Sequence, residues 1–203
     1  MPPTAARDPS KSRAFSIRIA ATMAAVAVLA VAAVWLASSP RGSNASLIGG
    51  PFALQDGDGK TITEQSMFGR PFLVYFGYTH CPDVCPTSLF EISEVLRAMG
   101  KDADRVNAYY ISVDPERDTS AAMKDYLSSF DSHLRGLTGN ADAVAKVLSA
   151  YRVYAKKVPT DNGDYSMDHT ALVYLMDKQG RFVAPFKLNR KPEDAAADLR
   201  RYL

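Results

Sequence analysis

Cysteine is nearly absent from this chain. Two stand among 203 residues, Cys81 and Cys85, and three histidines accompany them: His80, His133 and His169. A zinc site built of four cysteines is thereby excluded, and no cysteine closes the N-terminal apolar run, which excludes a lipid-modified anchor. Internal repeats are absent, and 203 residues are too few for more than one ordinary domain once the N-terminus is set aside. A basic surface is missing as well. Five of the 24 basic and one of the 22 acidic residues precede position 46, so residues 46–203 keep 19 and 21, a net of −2. Nucleic acid is not an expected partner.

Long uncharged runs are also lacking, with one exception. Residues 19–37 carry no charge and are mostly Ala, Val and Leu. At the helical rise they span about 28 Å, close to the hydrocarbon core of a bilayer. Arg7, Lys11, Arg13 and Arg18 precede them against one acid, Asp8. That bias holds the N-terminus in the cytoplasm. The expected organisation is a cytoplasmic tail over 1–18, a transmembrane anchor over 19–37, a linker over 38–48 and one domain over 49–203. A cleaved signal peptide is the alternative, with small residues such as Ala37 and Ser39 near a possible cut. The short N-terminus points to a bacterial inner membrane, with the domain in the periplasm, over a mitochondrial one.

Within the domain, residues 72–78 form an apolar run of the kind buried on both faces of a parallel sheet. Pro86 suits the first helical position, and Leu89, Ile92, Val95, Leu96 and Met99 recur at helical spacing up to Gly100. Residues 106–113 read as the next strand, and Asp118 and Thr119 cap a helix through Phe130. Asn140 caps another over 141–150. Residues 171–176 and 181–186 read as an antiparallel pair around a turn at Gly180, and Pro192 opens a final helix. Residues 50–70, with Gly57 and Gly59, predict an N-terminal hairpin, and Gly163 marks an excursion between Tyr154 and Asp168. This order is that of an α/β thioredoxin-like fold with an N-terminal hairpin and an insertion.

The thiol pair follows the apolar strand and opens the next helix. With the helix starting at Pro86, Cys85 is its N-cap and Cys81 lies in the preceding loop, where unpaired amides favour thiolate. Two thiolates at this spacing can grip one soft metal ion, close into one small disulfide, or serve as a purely structural bond. A closed metal site wants an imidazole beside them. His133 lies in a polar connector and reads as a surface residue. His80 adjoins Cys81, but neighbouring residues usually point different ways. His169 lies in the loop entering the strand 171–176, which in this fold faces the thiol motif. Position alone leaves it open between ligand and structural histidine. Asp168 can orient its ring or cap a turn.

Together these residues resemble the Sco/SenC family of membrane-anchored copper proteins. The resemblance runs from Gly49 nearly to the C-terminus, on Gly50–Leu54, the Gly77–Pro86 segment with its CPDVCP string, ISVDPERDT over 111–119, YRVY over 151–154 and DHT over 168–170. It implies that Cys81, Cys85 and His169 bind one copper as Cu(I) or Cu(II). It further implies a role in building the copper-A centre of cytochrome c oxidase, with that oxidase subunit and an upstream copper donor as partners. The function implied is a copper metallochaperone. A thiol–disulfide oxidoreductase working through Cys81 and Cys85 is the competing reading, and a thiol peroxidase stands further off. The stretch 114–118 reads as a turn before a helix held by local charge pairs, with partner recognition as the alternative.

Overall fold

The computed structural model describes residues 47–161 and 163–203, together with Met23, Leu29 and Ala30, which are helical. The expected tail, anchor and most of the linker lie otherwise outside the described residues. Among those described, no helix is long and apolar enough to cross a membrane. The chain divides into two units, Met1–Ala45 and Ser46–Leu203. The second carries everything below.

Its centre is β3 (Phe72–Gly77), six residues all buried. An uninterrupted run of Phe, Leu, Val and Tyr is what a strand covered on both faces needs, each such side chain contributing about 1.5–3 kcal/mol on burial. β3 pairs in parallel with β4 (Asn107–Ser112), which pairs in parallel with β5 (Leu134–Leu137). On its other side β3 runs antiparallel to β8 (Val173–Met176), which pairs with β9 (Phe182–Pro185). The five-stranded order β5-β4-β3-β8-β9 is a mixed sheet of the expected thioredoxin-like kind.

Alternation along β3 sends neighbouring aromatics to opposite faces. Phe76 packs with Tyr151 and Tyr174 at 5.3 and 5.7 Å between ring centroids. Tyr75 stacks instead on Tyr110 at 5.8 Å, and Tyr110 lies 6.1 Å from Tyr126. Helices complete the layers. α1 (Val84–Met99) packs against α4 (Pro192–Arg200), and α2 (Ser120–Leu127) packs on β5. α3 (Ala141–Ala150) is capped by Asn140, whose side chain accepts from the Ala143 amide.

Several expected boundaries move. The N-terminal hairpin is β1 (Ala53–Gln55) with β2 (Thr61–Thr63). α1 starts two residues before Pro86, because amides of the first turn have no helical acceptor and a proline there costs no hydrogen bond. α2 takes Thr119 as its cap, the hydroxyl accepting from the Ala122 amide. The excursion before Asp168 is a second hairpin, β6 (Ala155–Pro159) with β7 (Tyr165–His169), a two-stranded sheet of its own.

Candidate metal centre

The cysteines stand where the central strand hands over to α1. After Gly77 the chain turns, with the Cys81 amide donating to the Tyr78 carbonyl oxygen at 3.2 Å. Asp83 is the N-cap of α1, so Cys85 is its second residue and not its cap as the sequence predicts. Both cysteines are free thiols, Cys85 fully buried and Cys81 nearly so.

Gly77 makes room for the deeper sulfur. A Cβ there would stand 2.7 Å from Cys85 Sγ and 2.5 Å from the Tyr110 hydroxyl oxygen. Only glycine lets sulfur and phenol meet over this strand end. Burial raises the Tyr75 and Tyr110 phenols above their ordinary range, and the Cys85 sulfur adds to the shift. Both therefore stay protonated beside it.

His169 comes from the other side, as the last residue of β7 and not from a loop. Its Nε2 lies 3.6 Å from Cys85 Sγ. Its Nδ1 donates at 3.1 Å to the Thr170 carbonyl oxygen, an acceptor only, which leaves Nε2 turned to the sulfurs' side. The Tyr78 ring meets the imidazole edge-on at 5.8 Å. Donor atoms of Cys81, Cys85 and His169 all lie within 4.8 Å of one another. Two soft sulfurs and one imidazole with Nε2 turned toward them fit a thiophilic ion of the copper kind.

The remaining candidates stand apart. Asp168 is exposed and pairs across the hairpin with Lys156, while the imidazole takes Thr170 as its partner. His80 is exposed and turns to the Thr79 hydroxyl at 3.0 Å. His133 bridges Asp131 at 2.7 Å and Asp104 at 3.1 Å, which pushes its pKa up, chiefly through the Asp131 hydrogen bond.

Sequence reasoning missed Asp118 as a support of this centre. It is fully buried and accepts from the Thr79 amide at 3.2 Å, the Thr79 hydroxyl at 2.7 Å and the Ser112 hydroxyl at 2.6 Å. Burial raises its carboxyl above the ordinary value against the pull of these donors. From sequence Asp118 reads only as a helix cap, and its partner Thr79, 39 residues away, leaves no local signal.

Comparison with known proteins places this geometry among relatives. The SCO1/SenC family model matches residues 40–203. A mitochondrial SCO1 homolog of Arabidopsis thaliana is 40% identical over 137 residues, covering 67% of this chain and 41% of that protein. This chain thus spans about two fifths of that relative's length. A SCO2-like protein of Rickettsia conorii is 36% identical over 155 residues, 75% of this chain and 76% of that one. Among solved structures, Bradyrhizobium japonicum ScoI with copper bound is 72% identical with a TM-score of 0.75, covering 77% of this chain and 99% of that one.

Proposed function

This chain belongs to the SCO1/SenC family, and on that premise we propose that it is a copper metallochaperone serving assembly of the copper-A centre of cytochrome c oxidase. Copper is its cargo, held by Cys81, Cys85 and His169. The observation that carries the reading is the convergence of a buried thiol pair and an imidazole whose Nε2 faces them, 3.6 Å between Cys85 Sγ and His169 Nε2. Two sulfurs and a nitrogen accept either Cu(I) or Cu(II). Three donors leave a copper ion open to an incoming thiolate of the recipient, so transfer can proceed by exchange of one ligand at a time. The copper-bound ScoI neighbour supports the metal. Residues 19–37 would tether the domain to a bacterial inner membrane, facing the periplasm, where an upstream donor loads it and the oxidase subunit receives copper.

A second reading has its own support in the two free thiols. A reductase would attack a partner disulfide through Cys81, the more exposed sulfur, and release it as two thiols. Cys81 and Cys85 would close into a disulfide, supplying the two electrons while the protons pass to the partner. The histidine discriminates, because this exchange does not need it.

The test is anaerobic loading of the full-length protein with Cu(I), beside Cys81→Ser, Cys85→Ser and His169→Ala, with X-ray absorption reporting the neighbours of copper. One tightly held copper with two sulfurs and one nitrogen, weakened in all three variants, is the expected result. Weak binding indifferent to His169 would leave the thiol exchange reading in its place.

A further inference from the structure

His169 is delivered by the lightest part of the domain. Among the described residues the β6–β7 hairpin pairs with no strand of the central sheet, and β6 is exposed along most of its length. Sheet pairing therefore does not fix where the imidazole stands relative to the sulfurs. Residues 114–118, between β4 and α2, reach both sides of the donor set.

Arg117 makes the reach to the hairpin. Its Nε donates to Asp114 Oδ2 at 2.5 Å, and its Nη1 donates to the Tyr165 carbonyl oxygen at 3.0 Å and to Asp164 Oδ1 at 3.2 Å. The guanidinium carbon lies 3.7 Å from the centroid of the Tyr165 ring and 5.7 Å from that of Tyr78. Tyr165 closes the loop, its hydroxyl donating to Asp114 Oδ1 at 2.9 Å. Lys157 on β6 adds an ion pair to Glu116 at 2.5 Å. From the same segment Asp118 grips Thr79, two residues before Cys81.

We propose that Arg117, braced by Asp114 and stacked on Tyr165, latches the His169 hairpin over the cysteine helix and so sets the imidazole at the sulfurs before any metal arrives. The latch rests on the proposed donor set of Cys81, Cys85 and His169, and adds the residue that assembles it. Arg117 is a positioning residue that acts through His169. A planar fork that binds a carboxylate while stacking on a phenol ring is a guanidinium property, and lysine keeps the charge but not the fork. Arg117 is 16% exposed and Asp114 not at all, so solvent and salt screen the pair little.

Full-length Arg117→Ala, Arg117→Lys, Tyr165→Ala, His169→Ala and the Arg117→Ala/His169→Ala double variant are compared with wild type. Two readouts are taken. In the metal-free protein, nuclear Overhauser contacts between the Tyr78 and His169 rings report the hairpin's placement without copper. In the Cu(I)-loaded protein, the rate of copper removal by excess bicinchoninate reports the donor set. Arg117→Ala and Tyr165→Ala are expected to lose the ring contact and release copper about tenfold faster or more, with Arg117→Lys between. The double variant is expected to release copper no faster than His169→Ala, since a residue acting only through the imidazole adds nothing once it is gone. A ring contact that survives in Arg117→Ala and Tyr165→Ala, or a double variant whose effects multiply, overturns the latch. If Arg117→Ala does not fold, Tyr165→Ala decides from the hairpin side. If copper retention proves indifferent to His169, the donor set fails, and the ring contact alone still supports or overturns the latch.

Discussion

Cys85 sits fully buried on a helix that follows the all-buried central strand, whereas His169 ends a hairpin that forms a separate two-stranded sheet. The sulfur side is set by the core of the fold: β3 between β4 and β8, Gly77 admitting the thiol, Tyr110 closing over it. The histidine side packs only Ala155 and Met167 partly against that core and is otherwise held by polar contacts, with residues 114–118 and between Thr170 and Tyr154 at its base. The sulfurs cannot be displaced without disturbing close-packed side chains, while the imidazole can be lost without touching them. A carrier that must grip an ion and give it up gains from this division, since one ligand can move while two stay fixed.

The strongest challenge to that contrast is Gly77→Ala. Its Cβ would stand 2.5 and 2.7 Å from the Tyr110 hydroxyl and Cys85 Sγ, both held by buried surroundings. Overpacking of this kind costs about 3 kcal/mol. Thermal or urea denaturation of the metal-free variant is expected to show that loss, along with a displaced sulfur and impaired copper retention. Wild-type stability would mean that the cysteine side yields far more easily than its burial implies.

Asp118→Ala comes next, at about 2–3 kcal/mol, because it leaves the Thr79 and Ser112 donors facing a buried void. Asp118→Asn tests the charge separately. Burial raises the folded-state pKa above the ordinary 3.8, so the native chain holds this proton more tightly than the unfolded one. The stability linked to it is fully present below the unfolded value and is lost as pH rises through the folded one. Wild type is expected to lose ground to Asp118→Asn across that acidic window, as melting curves over a pH series would report.

His133 offers a smaller effect and a contrast with His169. Asp131 and Asp104 raise its pKa above 6.5, so its contribution is complete below that value and fades as pH climbs through the folded one. Asp104 is 83% exposed, which limits the gain to about 1 kcal/mol or less. His133→Gln is expected to flatten this part of the stability profile. An unchanged slope would mean the bridge carries no weight.

The sequence made the sulfur side readable and the histidine side opaque for a physical reason. Residues 72–77 are so uniformly apolar that only a buried strand accommodates them, and Asn140 before a helical repeat announced α3 at its true bounds. β5 went unread because its four residues, LRGL, include an arginine and a glycine. The β6–β7 strands, AKKVP and YSMDH, lack a clear apolar alternation, so the excursion was visible but its hairpin was not. For residues 114–118 local charge pairs are what the sequence predicts, and Arg117–Asp114 is one. The contact with Tyr165, 48 residues on, is tertiary and leaves no periodic trace.

The smallest effect is the most discriminating. His169 is half-buried, bonds to the adjacent Thr170 carbonyl and meets Tyr78 edge-on. Of these contacts only the edge-on one reaches the buried core, at Tyr78. His169→Ala is expected to change the stability of the metal-free protein by about 0.5 kcal/mol or less, the scale of an ordinary surface substitution. The latch through Arg117 and Tyr165 lies at the opposite end of β7 and remains in place, so the hairpin keeps its position with the donor removed. Calorimetry of the metal-free variant measures this directly. A loss as large as that of Gly77→Ala would show that the imidazole is part of the framework, and the division between fixed sulfurs and a removable nitrogen would not stand.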